Sequence, residues 1–362
     1  MMTHQPHPLV PLSSHRLFAL DLLKAISITA VISYHAMLVP RSTYADSLPL
    51  LEISAGGLRF CVPVLFTISF FLLACSLDKT DLRPWQLLKK RLMRLLIPTT
   101  FWFGLAILLK SLTRNPFPHL MERLVSGNIF QGAYFLLVLL QCLPLFLLIL
   151  ARLRQPAVLY GMITLQCLML LATYHWLVTE QTWVIDVLRR LDRPCLIYWF
   201  GYMAMGISLW QKWPKIIQLS GQIPNLWKGI FLAITWGLLS EEYRRLWIVT
   251  QGNIPPFDYA LVSCLLSVVV LFLCFASLTA EQVPILPRQI ILCLSRYSLG
   301  IFCINGIVSE IGLAIGSRWL SQTHFSLTEA ILLKMGGWLG LLLISLGLSM
   351  LLDRVKLGVI VR

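Results

Sequence analysis

Three ionisable side chains share one face of the first apolar segment of the chain, residues 17–39 (LFALDLLKAISITAVISYHAMLV). They are Asp21, Lys24 and His35. Eleven residues separate Lys24 from His35, which is close to three whole turns of an α-helix and predicts a single polar stripe. Ionisable groups in a membrane helix are expensive, and they generally face a bundle interior or a water-filled cavity. The stripe is therefore the first candidate for a functional site.

His35 is the residue of this stripe best suited to proton transfer. An imidazole can accept and release a proton near neutral pH. Beside a hydroxyl group, it could act as a general base, which contributes about 10²- to 10⁴-fold in rate, or it could carry an acyl group itself. The alternative is a histidine that only forms a hydrogen bond between helices. The presence of Lys24 and Asp21 on the same face favours function.

A second candidate is the basic segment LLKKRLMRLLIP, residues 87–98. Arg91 and Arg94 are three residues apart and therefore share a helix face. Guanidinium groups bind phosphates bidentately, with a geometry that lysine cannot match. The pair predicts a site for a cofactor that carries phosphates. The alternative is plain anchoring of a cytoplasmic loop at the membrane surface.

Three further polar residues lie inside apolar segments and are candidates for contacts with a substrate or an oxyanion. Ser69 lies in VPVLFTISFFLLAC, and Asn305 and Glu310 lie in RYSLGIFCINGIVSEIG. A lone serine in a membrane helix usually bonds a backbone carbonyl or a neighbouring helix, and a buried glutamate favours a polar cavity or a partner arginine or lysine. The nine cysteines form no CxxC pair, so no metal site is predicted.

Composition predicts an all-α, polytopic membrane helix bundle. Of the 362 residues, 57% are hydrophobic and only 13% are charged, and mean hydropathy is +0.77, whereas a soluble domain has about 25% charged residues. We expect a multi-pass protein of the cell membrane with about ten transmembrane helices. The predicted spans are residues 18–39, 58–77, 95–112, 131–151, 157–177, 194–211, 226–240, 258–279, 290–316 and 328–352.

The positions of Lys and Arg predict that both termini are cytoplasmic. With that orientation, seventeen of these residues fall in inner segments and eleven in outer segments, as the positive-inside rule favours. The expected organisation is a cytoplasmic segment over 1–16 without a cleavable signal peptide, a transmembrane domain over 17–353 and a short tail over 354–362. The net charge of +14 lies in short loops, so the expected partner is the lipid bilayer and not nucleic acid.

These elements resemble the acyltransferase-3 family of integral-membrane acyltransferases. RLFALDLLKAISITAVISYH resembles the opening motif of that family, in which an arginine, Leu-Asp and a basic residue precede a histidine after ten residues. KKRLMRLLIP resembles its Arg-x-x-Arg element, and GAYFLLVLLQ resembles the start of its fourth span. GGLRFCVPVLFTISFFLL and YSLGIFCIN resemble two further elements, so the resemblance covers nearly the whole chain.

The resemblance implies ten transmembrane helices and transfer of an acyl group, usually acetyl from acetyl-CoA. Acyl-CoA would be a co-substrate rather than a tightly bound cofactor. The implied acceptor is a hydroxyl of a glycan or a lipid-linked saccharide. By position, the resemblance assigns catalysis to His35 with Lys24 and Asp21 lining its cavity, and binding of CoA phosphates to Arg91, Arg94 and Arg16.

The chain departs from the family pattern at three positions. Phe70 stands where glycine is common, Gly132 where histidine often begins the fourth-span element, and Asn305 where the late element often ends in histidine. These departures imply either a divergent substrate or a loss of acyl transfer, and they place more of the chemistry on His35.

Two alternative functions remain open from the sequence. A proton-coupled transporter or flippase of a glycan or small metabolite would use Lys24, His35, Asp21 and Glu310 as a pathway. A relative without catalytic activity would serve as a lipid- or glycan-binding partner. The acceptor, the acyl length and the oligomeric state are not encoded in any recognisable pattern.

Overall fold

The computed structural model of the chain describes residues 17–79, 83–112 and 119–362. Arg16 and the rest of the predicted segment 1–16 lie outside the described residues. Within these ranges the chain forms helices and no strand, which confirms the all-α prediction. The helices are α1 (Phe18–Tyr34), α2 (Leu48–Gly56), α3 (Cys61–Lys79), α4 (Pro84–Leu112), α5 (Leu120–Ser126), α6 (Tyr134–Leu153), α7 (Pro156–Val178), α8 (Thr182–Leu191), α9 (Phe200–Gln211), α10 (Trp213–Gln222), α11 (Asn225–Val249), α12 (Val262–Phe275), α13 (Ile285–Arg296), α14 (Ser298–Leu320) and α15 (Leu327–Arg354).

The first helix, α1, lies in the centre of the bundle. It packs against α3, α13 and α14 and also contacts α12 and α15. Leu23, Ile28 and Ile32 are buried on its different faces, as expected for a helix that is apolar all round. Residues at the two ends of α1 are therefore enclosed by other helices, and its polar residues must find partners inside the protein.

Among the described residues, six helical segments are long and apolar enough to cross a membrane. They are Arg41–Lys79, Pro84–Leu112, Tyr134–Leu153, Pro156–Val178, Ser298–Leu320 and Leu327–Arg354. The outward faces carry large apolar side chains, such as Leu332 and Leu343 on α15, and soluble proteins rarely expose such a continuous apolar surface. Each of the ten predicted segments contains at least one helix, while the number of crossings and the position of the termini stay predictions.

Several helix boundaries differ from the sequence prediction, and α11, for example, ends at Val249 rather than at residue 240. The first helix ends at Tyr34 rather than near residue 39, and α4 begins at Pro84, well before residue 95. The segment predicted as one span over 290–316 is divided at Tyr297 into α13 and α14. The backbone N–H of Gly300 donates to the carbonyl of Val361 (3.1 Å). Orphan amides at a helix start need such partners, and here a segment distant in sequence supplies one.

His35 is the C-terminal cap of α1, and the chain that follows it is held by a close backbone approach. A Cβ atom on Gly337 of α15 would lie 2.0 Å from the carbonyl oxygen of Ala36. Only glycine allows this approach. The contact fixes the path of the chain directly after His35, and thereby the position from which the imidazole projects.

Candidate active site

A basic cavity lies beside the first half of α1, with a volume of about 280 Å³. Its walls are largely apolar and come from α3, α4, α6 and α14. Its polar lining is dominated by cations, and it comprises Lys24, Ser69, Arg91, Arg94, Ser295, Ser298, Arg296 and Arg362.

The structure brings Lys24, Arg91 and Arg94 together at this cavity. Arg91 Nη2 donates a hydrogen bond to Ser76 Oγ of α3 (2.7 Å), which orients the guanidinium. Asp21 lies on the same face of α1 as Lys24, but it is buried and accepts a hydrogen bond from Ser295 Oγ (2.5 Å). Lys24 therefore lines the basic cavity, whereas Asp21 joins α1 to the end of α13.

Two cations of the basic cavity were not singled out from the sequence. Arg296 lies 3.6 Å from Asp353, and Arg362 also forms an ion pair with Asp353. Tyr297 donates to the same carboxylate (2.7 Å). One acidic side chain of α15 thus holds two guanidinium groups beside the cavity.

A second, polar cavity lies at the other end of α1 and contains His35. It has two lobes of about 270 and 360 Å³, which is in the size range of small-ligand sites. Five residues line both lobes, and they are Tyr34, His35, Arg41, Glu52 and Gln131. We call this space the histidine cavity.

His35 is held in the histidine cavity by Asn305 of α14. The His35 Nδ1 atom lies 2.8 Å from the Asn305 Nδ2 atom, and the donor and acceptor roles depend on the tautomer of the ring. Asn305 is fully buried, and its Oδ1 atom has no hydrogen-bond partner among the described residues. The contact leaves Nε2 of His35 as the ring nitrogen available for chemistry.

Gly132 and Phe302 form the wall next to the imidazole. Gly132 has a φ of +88°, and a Cβ atom there would lie 3.1 Å from Phe302 Cζ and 3.6 Å from His35 Cε1. A Cβ atom at this position would require Phe302 to move by a few tenths of an ångström, and the positive φ would strain any residue other than glycine. Phe302 packs against Phe135 with ring centroids 5.2 Å apart. It lines both the basic cavity and one lobe of the histidine cavity, so its ring is a wall common to both.

A buried network of ion pairs forms part of the wall of the smaller lobe. Asp258 accepts from Arg59 Nη1 (2.8 Å) and from Arg193 Nε (3.0 Å). The Arg59 guanidinium also lies over the Tyr34 ring, 4.0 Å from its centroid, and donates to Tyr243 Oη (3.2 Å). Cation–π contacts of this kind stabilise a cation that is removed from water.

The remaining candidates have partners of their own. Ser69 Oγ donates to the carbonyl of Leu65 on its own helix (2.9 Å), although the residue also lines the basic cavity. Glu310 forms an ion pair with Lys110 (2.9 Å), which is the pairing that a membrane glutamate favours. The lining of neither cavity described above includes Glu310.

Sequence reasoning missed Arg59, Arg193 and Asp258, as well as Gln131. The two arginines were counted only as charges of outer segments. Gln131 precedes Gly132 directly, and its Oε1 atom accepts from Ser309 Oγ (3.0 Å) while the residue lines both lobes. The available signal was the position of Arg59 and Asp258 next to apolar spans, where an unpaired charge is costly.

The chain was compared with protein families, curated proteins and solved structures. A family model described as an acyltransferase domain matches residues 17–354. This range begins just before α1, ends with α15 and includes the residues named here as lining both cavities, except Arg362. Among curated proteins and among solved structures, nothing matches.

Proposed function

The chain belongs to the acyltransferase-3 family, because the family model covers nearly all of it, and on that premise we propose an acetyl-CoA-dependent O-acetyltransferase. The proposed acceptor is a hydroxyl of a glycan or a lipid-linked saccharide, and the proposed location is the cell membrane. One observation carries the proposal: a basic cavity and a histidine cavity lie along the same central helix and share the wall residue Phe302.

The basic cavity suits the donor. CoA carries several phosphate charges, and Arg91, Arg94 and Lys24 offer three cations there, with Arg296 and Arg362 beside them. Guanidinium groups bind phosphate oxygens in pairs. Lys24 lies about 16 Å from His35 along α1, given the rise of about 1.5 Å per residue, and the long flexible pantetheine arm suits this separation. The thioester would then lie near Phe302.

His35 is the proposed general base. The base role needs the Asn305 amide rotated by 180°, so that Oδ1 and not Nδ2 faces Nδ1 of His35, an assignment that follows from the hydrogen-bond network rather than from atom positions. With Nδ1–H donating to Oδ1 in this orientation, Nε2 keeps a lone pair and can take the proton of the acceptor hydroxyl. This amide orientation also gives the buried Oδ1 atom a partner. The oxygen then attacks the thioester carbonyl, the C–S bond breaks, and protonated His35 returns the proton to the departing CoA thiolate.

The developing oxyanion needs hydrogen-bond donors. Gln131 is the proposed donor, because its side-chain oxygen is engaged with Ser309 and its amide nitrogen is left for the cavity. Ser69 is less suited to this role, since its hydroxyl donates to Leu65, and the amide of Asn305 is assigned to positioning His35.

Acetyl-CoA labelled in the acetyl group tests the proposal with purified protein and lipid-linked saccharides extracted from membranes. We expect release of free CoA together with label in the saccharide fraction. A transporter would leave the thioester intact, and a relative without catalytic activity would release no CoA. Intact thioester in the presence of a proven acceptor contradicts the proposal.

A further inference from the structure

The histidine cavity contains more cations than carboxylates. Glu52 and Asp258 are the carboxylates among the described residues that line its two lobes. The cations that line the same lobes are Arg41, Arg59, Arg193 and Lys334. With a neutral His35, the cavity carries a net charge of about +2.

The smaller lobe accounts for one of the uncompensated charges. Arg59 and Arg193 share the single carboxylate of Asp258, and the three side chains are 12%, 23% and 2% exposed. Arg193 uses only its Nε atom in this pair. Its two terminal nitrogens have no hydrogen-bond partner among the described residues, which leaves a free fork of donors beside His35.

The larger lobe accounts for the other charge. Lys334 of α15 donates to the backbone carbonyl of Leu51 (3.3 Å), and no carboxylate of the described chain lies within ion-pair distance of it. Arg41 differs from Lys334, because it is exposed and forms an ion pair with Glu52 (3.2 Å). Lys334 is half-buried, so its charge is only partly solvated.

Uncompensated cations in an enclosed cavity are unfavourable. A buried charge without a partner carries a large desolvation penalty, and such groups in membrane proteins mark substrate paths. A bound anion would remove this penalty. Because His35, Tyr34 and Gln131 line both lobes, an anion in either lobe would lie next to the proposed base.

We infer that the acceptor carries an anionic group, a carboxylate or a phosphate, which the uncompensated cations Arg193 and Lys334 attract into the histidine cavity, where a neighbouring hydroxyl meets His35. The inference rests on the proposed function, since it describes the acceptor of that reaction. A guanidinium fork is suited to both oxyanions. A hexuronate residue and a sugar phosphate are the two sources of this chemistry.

Binding of three sugar probes to the purified protein, measured by calorimetry without acetyl-CoA, tests the inference. Methyl glucoside is the neutral probe, methyl glucuronide carries a carboxylate, and glucose 1-phosphate carries a phosphate. We expect at least one anionic probe to bind about tenfold or more tightly than the glucoside, since hydrogen bonds to charged groups contribute that much. The preferred anion identifies the source.

Two variants and one control connect this preference to the cavity. Lys334→Gln and Arg193→Lys should each reduce the preference for the anionic probe, the second because lysine lacks the fork. Arg245→Gln removes the same charge from an exposed pair with Glu241 and should leave the preference unchanged. Gel filtration and the thermal transition of each variant establish that it is folded.

Equal affinity for charged and neutral probes, or absence of binding by both anionic probes, overturns the inference. An anion preference that both cavity variants retain also overturns it. None of these outcomes requires acyl transfer, so probe binding and label transfer by the wild-type protein are independent measurements. Absence of label transfer by the wild type with the anion preference intact would count against the proposed function alone.

Discussion

The Nδ1 atom of His35 lies 2.8 Å from the side-chain nitrogen of Asn305. The first residue after α1 and a fully buried residue of α14 therefore meet inside the histidine cavity. These residues are 270 positions apart. Their contact gives the imidazole a fixed ring orientation and assigns Asn305 the role of a positioning residue.

Asn305→Ala should lower the turnover of acetyl transfer with little change in the KM for acetyl-CoA. A general base contributes a rate factor of about 10² to 10⁴. The reduction in turnover should be smaller than this factor, because His35 is still present. Steady-state kinetics with labelled acetyl-CoA measure both constants.

Asn305→Asp serves as the conservative variant for this position. An aspartate can only accept a hydrogen bond, so it should keep more activity than alanine if Nδ1–H is the donor. Activity of the aspartate variant at or below that of the alanine variant would contradict this tautomer, provided that both proteins are folded.

Gly132→Ala should impair acetyl transfer in a protein that still folds. A residue with a Cβ atom at a φ of +88° is strained, which costs about 1–3 kcal/mol. The new methyl group would crowd Phe302 and lie in van der Waals contact with His35. The matched control is Gly161→Ala in α7, where a Cβ atom would meet no heavy atom within 4 Å. Equal transfer rates for the two variants would show that the space beside the imidazole is not needed.

Arg91→Ala combined with Arg94→Ala should raise the KM for acetyl-CoA by about tenfold or more, since each variant removes a charged contact to phosphate. Raising the salt concentration should weaken donor binding in the wild type and have less effect in the variant. The control is Lys89→Ala with Lys90→Ala, because these exposed residues lie on the same helix. A matching rise in KM in the control would indicate a general surface-charge effect.

Asp258→Asn should destabilise the protein by about 3–5 kcal/mol, because two buried guanidinium groups would lose their shared carboxylate. The free energy of unfolding in detergent micelles measures the effect. Glu241→Gln removes a carboxylate that also pairs with two arginines, but those pairs are exposed and should contribute only about 0–1 kcal/mol. A similar loss in both variants would argue against a buried network.

Regular spacing along a helix made part of the site predictable. Arg91 and Arg94 line one cavity, as the helix period indicates, and Lys24 and His35 each line a cavity that Phe302 also lines. Their separation into two cavities was not expected, because spacing within one helix says nothing about Phe302 on α14. The resemblance implied that Lys24 and Asp21 line the cavity of His35, whereas Lys24 lines the basic cavity and Asp21 bonds Ser295.

Contacts between distant segments could not be predicted. Arg59, Arg193 and Asp258 come from three separate regions of the chain. Their pairing exists only once the turn before α3, the segment after α8 and the loop before α12 have packed together. The division at Tyr297 was also missed, although the polar run Ser-Arg-Tyr-Ser over 295–298 interrupts the apolar segment there; the bonding partner of Gly300, Val361, lies far along the chain.

The turnover of acetyl transfer in His35→Ala tests the central claim most directly. The matched control is His175→Ala, which removes an exposed histidine of α7. Both variants must be folded, and labelled acetyl-CoA serves as the donor. We expect turnover to fall by about 10²-fold or more in His35→Ala and to equal that of the wild type in His175→Ala. Wild-type turnover in His35→Ala would contradict the assignment of the imidazole as the general base.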